Sequence, residues 1–269
     1  MNRRDFLVRS SIFTAVGCLA RPAWAQAPAA GARPATSPAP ATPEFKPLRR
    51  DTGYFTARGG TIGWLANRDG LACVDTQFAD TAGLFLAGLP GRNDRRLDVV
   101  VNSHHHGDHT GGNGVMKPAA KMIVAHANVP ALQRERAERD KTLDRQTYAD
   151  TTFPQTWRKE VGGEVIAARY FGPAHTKGDI VTHFEKANVI HMGDLMFNRL
   201  YPFVDRPGGA SIRNWVTVLE TVVKTYPADA IYVFGHGNPK FGVTGKSSDL
   251  LVFRDYLSGL LEYTERRIK

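Results

Sequence analysis

The sequence contains little cysteine, and its N-terminal apolar stretch is short. Cys18 and Cys73 are the only two cysteines in 269 residues. Cys73 lies within an apolar run, which is typical of a small buried hydrophobic side chain. A chain with so little cysteine does not depend on a disulfide framework. The stretch Ser11 to Ala20 is shorter than the about 20 apolar residues that a transmembrane helix needs, so we expect no stable membrane span.

The N-terminus instead has the features of an export signal. Arg3 and Arg4 form a twin-arginine pair ahead of the short apolar stretch, and an Ala-x-Ala cleavage motif ends at Ala25. We predict a twin-arginine signal peptide at residues 1–25, handled by the twin-arginine export machinery, and a periplasmic or secreted mature protein. Lipidation at Cys18 is the alternative, but the sequence lacks the leucine that usually stands three residues before such a cysteine.

Acidic residues are outnumbered, since 26 Asp and Glu oppose 35 Lys and Arg. The predicted signal carries four arginines and one aspartate, so its removal lowers the net charge from +9 to +6. No basic run is interleaved with aromatic residues, so we expect a small-molecule substrate and no nucleic-acid partner. Residues 26–47 are rich in Ala and Pro and predict a flexible spacer. Residues 48–269 are long enough for one domain with a sizeable core.

A dense group of metal-binding residue types follows a predicted buried strand. His104, His106, Asp108 and His109 lie within six residues, directly after the β-branched run at 97–101. Neutral imidazoles and carboxylates are ligands of borderline-soft divalent metals. The alternate spacing of the first two histidines directs both rings to one side, and the last two residues follow a glycine turn and can face a second metal. The sequence predicts a metalloenzyme with one or two metals.

The same run, His-x-His-x-Asp-His followed by Gly-Gly, resembles the signature of metallo-β-lactamase-fold hydrolases, and further motifs of that family follow in order between about Tyr54 and Gly237. The resemblance implies an α/β fold, a four-layered αββα sandwich. It implies one metal held by three histidines, a second held by an aspartate and two histidines, and an aspartate that touches both. In that order, the implied ligands are His104, His106, His175, Asp108, His109, His236 and Asp194.

This ligand set implies two zinc ions and hydrolysis by a metal-bridging hydroxide, because zinc lowers the pKa of bound water to about 7. Asp108 is expected to act catalytically by orienting the nucleophile and accepting its proton. The expected substrate is a small-molecule ester, thioester, lactone or amide. Hydrolysis of β-lactams is an alternative, disfavoured by an aspartate at position 194 and by the absence of lysine from residues 195–204. A mononuclear-iron sulfur dioxygenase of the same fold is a second alternative.

Apolar periodicity outlines the other elements and leaves some interpretations open. The charged run Arg134 to Asp140 is interpreted as a solvated helix face. His105 is expected to face away from the metals. Five residues after the last predicted aspartate ligand form either a substrate-facing wall or packing beneath a later helix: Phe197, Asn198, Tyr201, Pro202 and Phe203. Helices are predicted at 81–89, 129–140, 212–225 and 248–267, and strands at 61–65, 71–75, 122–125, 180–184 and 188–191.

Overall fold

The computed structural model describes residues 42–268. The predicted signal peptide at residues 1–25 lies outside the described residues. Within residues 42–268, no helix is both long and apolar enough to span a membrane. The described chain contains two large β-sheets and a two-stranded ribbon, with helices on the outer faces of the sheets.

The first sheet has seven strands, which neighbour one another in the order of the chain. Its first four strands form an antiparallel meander, and the remaining strands are parallel to their neighbours. The strands are Glu44–Pro47 (β1), Thr52–Thr56 (β2), Ile62–Ala66 (β3), Leu71–Val74 (β4), Val99–Asn102 (β5), Ile123–His126 (β6) and Thr151–Phe153 (β7).

The second sheet has six strands, which are Thr156–Val161 (β8), Glu164–Tyr170 (β9), Ile180–Phe184 (β10), Val189–His191 (β11), Ile231–Val233 (β13) and Thr244–Gly245 (β15). Their spatial order is β15-β13-β11-β10-β9-β8. A short parallel ribbon joins Phe197–Asn198 (β12) to His236–Gly237 (β14). Strands β11 and β13 are parallel neighbours, so the segments that follow them emerge at the same edge of the sheet.

The helices lie in two separate layers. Their bounds are Ala79–Gly88 (α1), Gly107–Thr110 (α2), Asn113–Ala119 (α3), Val129–Asp140 (α4), Ile212–Thr225 (α5) and Ser247–Ile268 (α6). Phe85 of α1 and Met116 of α3 pack in one buried cluster with the first sheet. Trp215 of α5 and Phe253 of α6 pack in another cluster with the second sheet. This arrangement confirms the predicted α/β class and αββα sandwich.

A third buried cluster joins the two sheets, and the alternation of side chains along each strand produces it. In β5, Val99 and Val101 belong to this inter-sheet cluster, whereas Val100 belongs to the cluster under α1 and α3. In β11, Val189 belongs to the inter-sheet cluster and Ile190 to the cluster under α5 and α6. Both strands are buried on two faces, which explains why residues 99–101 of β5 and 189–190 of β11 are uninterrupted apolar runs.

The start of the folded domain differs from the sequence prediction. The spacer was expected to extend through Pro47, but Glu44–Pro47 forms strand β1 and pairs antiparallel with β2. Phe45 of this strand packs on Phe55 with ring centroids 4.6 Å apart, and also on Phe85 at 5.8 Å. One aromatic side chain and the ladder hydrogen bonds therefore order this edge strand, although the Ala- and Pro-rich sequence before it predicts a flexible spacer.

Candidate metal centre

All seven predicted ligands lie in segments that follow the C-terminal ends of strands. His104 and His106 follow β5, and the next two ligands lie in the short helix α2. The remaining three follow β9, β11 and β13, respectively: His175, Asp194 and His236. The structure brings the seven side chains together in two groups.

The first group is fully buried. It comprises His104, His106, His175 and Asp194, each offering one ligand atom, and these atoms all lie within 4.8 Å of one another. Nε2 of His175 is 3.0 Å from Nδ1 of His106. Three imidazoles and a carboxylate at such separations form a donor set for one zinc-like ion.

The second group lies beside the first and is more accessible. Ligand atoms of Asp108, His109 and His236 lie within 4.8 Å of one another. Nε2 of His236 is 3.1 Å from Oδ2 of Asp108 and 3.3 Å from Nε2 of His109. Asp108 and His236 are partly exposed, so this group faces the solvent side of the centre.

Asp194 stands between the two groups and presents one carboxylate oxygen to each. Its Oδ2 is 3.7 Å from Nε2 of His104 and 3.5 Å from Nε2 of His175. Its Oδ1 is 3.0 Å from Nε2 of His109 and 3.4 Å from Nε2 of His236. This position is the one that a carboxylate shared by two metals requires.

Two residues that the sequence analysis did not single out orient histidines in both groups. Each bonds to the ring nitrogen that faces away from the centre. Asp75 is fully buried, and its Oδ2 accepts from Nδ1 of His109 at 2.7 Å and from Oγ of Ser103 at 2.7 Å. The Ser103 hydroxyl oxygen lies 3.0 Å from Nδ1 of His104 and can accept a hydrogen bond from the N–H there. Each bond places the proton on Nδ1, which leaves the Nε2 lone pair directed at the centre.

A second carboxylate that the sequence analysis did not single out, that of Asp205, orients a histidine of the first group. Oδ2 of Asp205 accepts from Nε2 of His106 at 2.8 Å, so Nδ1 of that ring faces the centre. Nε2 of His105 lies 3.3 Å from the same oxygen, and His105 is buried and belongs to neither of the two groups. Nδ1 of His175 donates to the carbonyl of Phe203 at 2.7 Å. Asp205 and Phe203 lie in one loop, which thus orients two ligands.

The residues fit a metal on grounds of their own chemistry. Among the described residues, Nε2 of His104 and Oδ1 of Asp194 are buried without a hydrogen-bond partner, and buried polar atoms rarely lack one. Burial lowers the pKa of His104 and lowers that of His175 to about 4, which favours the neutral, metal-binding imidazole. Burial opposes protonation of His236 too, yet Asp194 and Asp108 raise its pKa to about 9. The same negative potential attracts a metal cation.

A cavity of about 220 Å³ opens over the centre. Phe197 is buried and stacks on His236 with ring centroids 5.4 Å apart, and it also packs on Trp215 of α5. It therefore both faces the centre and packs beneath a later helix. Phe203 is 55% exposed and lines the cavity. Arg136 of α4 lines it too.

Comparison with known proteins agrees with this geometry. Residues 55–236 match the model of the metallo-beta-lactamase superfamily. The chain belongs to that superfamily. The clustered His and Asp side chains of this superfamily member form groups that could hold metal ions.

The relatives differ in what they act on. Hydroxyacylglutathione hydrolase of Cereibacter sphaeroides is 28% identical over 182 residues, which are 64% of this chain and 63% of the relative. The matched region thus spans less than two thirds of that enzyme. Metallo-beta-lactamase type 2 of Bacillus cereus is 23% identical, over 71% of this chain and 72% of the relative. The solved metallo-beta-lactamase from Pontibacter korlensis superposes with a TM-score of 0.64 and 17% identity, covering 81% of this chain and 99% of that one, and shares the fold.

Proposed function

We propose that the chain is a dizinc hydrolase that cleaves a small-molecule ester or thioester, with lactones and amides as related substrates. The observation that carries the proposal is the position of Asp194, whose two carboxylate oxygens face separate groups of ligands. His104, His106 and His175 would hold one zinc with Asp194, and Asp108, His109 and His236 the other. Bound zinc supplies Lewis acidity and lowers the pKa of coordinated water to about 7.

Asp108 is positioned to accept the proton of the attacking water. Burial raises the pKa of this carboxyl, but His109 and His236 beside it outweigh burial and bring the pKa to about 2. The group is therefore an ionised carboxylate at neutral pH, and it borders the cavity over the centre. The water oxygen bonds to the acyl carbon, the bond to the leaving oxygen or sulfur breaks, and the proton passes to the leaving group. No side-chain nucleophile is required.

The hydroxyacylglutathione hydrolase relative supports an acyl substrate of this kind. Hydrolysis of β-lactams is a second candidate, favoured by the Bacillus cereus relative. An aspartate at position 194 and the absence of lysine from residues 195–204 weigh against it.

A substrate panel tests the proposal. The zinc-loaded protein is assayed against a thioester, a simple ester, a lactone, a β-lactam and a phosphodiester, with and without chelator. We expect chelator-sensitive cleavage of the thioester or ester and its loss in His106→Ala. His126→Ala is the matched control, because Nε2 of His126 donates to the Pro154 carbonyl away from the centre. Normal turnover by the His106 variant, or iron with sulfur oxidation in place of hydrolysis, would contradict the proposal.

We also propose that the enzyme is exported folded through the twin-arginine route, on the basis of Arg3 and Arg4 and the cleavage motif ending at Ala25. Replacing both arginines by lysine keeps the charge and removes the pair. The expected result is retention of the variant in the cytoplasmic fraction at precursor mass, while the parent appears outside at the mass of the chain from Gln26. Equal export of both would refute the proposal.

A further inference from the structure

The cavity over the metal centre has one cationic side chain in its wall. Arg136 of α4 borders it together with Asp108, His236 and Phe203. Arg136 also borders an adjoining cavity of about 420 Å³ on the side of α4, and Asp108 lines both cavities. Arg136 thus lies at the junction between the reacting centre and a second space large enough for a substrate group.

The guanidinium of Arg136 is available for a ligand. Its closest partner is Asp140, one turn later, at 3.5 Å from Nε. Among the described residues, this guanidinium makes no side-chain hydrogen bond within normal limits, and only 38% of the side chain is exposed. A partly buried guanidinium has five N–H donors in a fixed plane, a geometry that matches a carboxylate or phosphate. An anionic ligand bound there would gain charge-assisted hydrogen bonds, which are stronger than those between neutral groups.

The opposite side of the cavity is different in character. Phe197 and Phe203 line it, and beyond Phe197 a larger groove of about 470 Å³ is bordered by Leu200, Tyr201 and Phe253, with the exposed Arg199 also in its wall. The cavity is therefore polarised, with a cation on one side of the ligand groups and aromatic surface on the other. An acyl substrate that spans both sides needs an anionic end and an apolar end.

We propose that Arg136 is the anion-recognition residue of this active site, and that the substrate is an ester or thioester with a carboxylate on one side of the scissile bond and an apolar group on the other. This rests on the proposed hydrolase function and deepens it. The residue is specificity-determining: it binds a part of the substrate that does not react, and it leaves the metal ligands unchanged.

Binding of a matched pair of thiols tests the proposal without turnover. The probes are 3-mercaptopropionate and 3-mercaptopropionamide, which share a zinc-binding sulfur and differ in charge at the far end. Dissociation constants are measured by calorimetry on the zinc-loaded protein, on Arg136→Gln and on Arg136→Lys. Arg139→Gln is the control, because Arg139 is exposed on the same helix and carries the same charge.

We expect the parent and the Arg139 variant to prefer the carboxylate by about 10- to 100-fold, the range of a charge-assisted hydrogen bond. Arg136→Gln should abolish this preference while binding the amide normally, and Arg136→Lys should retain part of it. Equal preference in Arg136→Gln and the parent, or none in the parent, would overturn the proposal while leaving the dizinc function intact. Failure of the parent to bind zinc would instead overturn the hydrolase function, and this inference with it.

Discussion

The sharpest structural prediction concerns Asp75. This residue is not among the predicted metal ligands, yet it supports histidines of both groups. Its Oδ1 accepts from the Ser103 N–H at 2.7 Å, and its Oδ2 accepts from the Ser103 hydroxyl and from Nδ1 of His109. In Asp75→Asn, an NH₂ group replaces one of these acceptors. If this NH₂ group faces His109, two hydrogen-bond donors oppose each other. The ring can relieve the conflict only by moving its proton to Nε2, and the lone pair of that nitrogen is then no longer available to a metal.

The expected loss can be worked from these contacts. A hydrogen bond to a charged group contributes about 1.5–3 kcal/mol, and loss of such a partner to a ligating histidine typically costs about 10- to 100-fold in metal affinity, which equals about 1.4–2.8 kcal/mol. Backbone strain adds little, because Asp75 has a φ of 70° and Asn tolerates this left-handed conformation well. We therefore expect zinc at the His109 group to bind about 10- to 100-fold more weakly.

Competition with a chromogenic chelator measures both zinc affinities of the parent and of Asp75→Asn. The control is Asp98→Asn, which removes a carboxylate that accepts from the Leu71 N–H and pairs with Lys121 on the surface. Circular dichroism of the metal-free proteins checks that each variant is folded. Zinc affinities of Asp75→Asn within about twofold of the Asp98 control would refute the assigned role of Asp75.

Three further predictions follow from the packing and the ligands. In Gly235→Ala, a Cβ would lie 2.1 Å from Oδ1 of Asp194, so metal analysis should find fewer than two zincs per chain; an unchanged content would contradict this. Trp215→Ala removes a fully buried ring and should lower the free energy of unfolding by about 3–5 kcal/mol, measured with urea; a loss below about 1 kcal/mol would show that the site repacks. Removing metal with chelator should lower Tm and zinc should restore it, because the ligands converge only in the folded chain; an unchanged Tm would contradict this.

The sequence was sufficient to predict the four clustered His and Asp residues and most of the fold, because these depend on local patterns. His104, His106, Asp108 and His109 are close in the chain and follow one buried strand, so their proximity is given by the backbone. The helix predicted at 129–140 has the same bounds in the structure. Clear apolar periodicity and a contiguous donor cluster are both readable from short windows of sequence.

The supporting residues were not predictable in the same way. Asp75 is a lone acid at a strand end, and Asp205 lies 99 positions from the histidine it orients, in a loop without regular structure. Their roles depend on which loops the tertiary fold brings together. Strand β8 was missed because it is an edge strand with several exposed charged residues, whose apolar alternation is weak. Arg136 was interpreted as part of a solvated face because residues 134–140 are mostly charged, and only the position of the helix in the fold places it at the cavity.

The most direct test of the account is the zinc content of the purified protein, measured by elemental analysis after equilibration with zinc and removal of unbound metal. Two groups of ligands joined by Asp194 predict two zinc ions per chain, and they predict that Asp194→Asn, which removes the charge of the shared carboxylate, retains no more than one. A parent protein that holds one zinc or none, or a variant that still holds two, would contradict the dizinc centre.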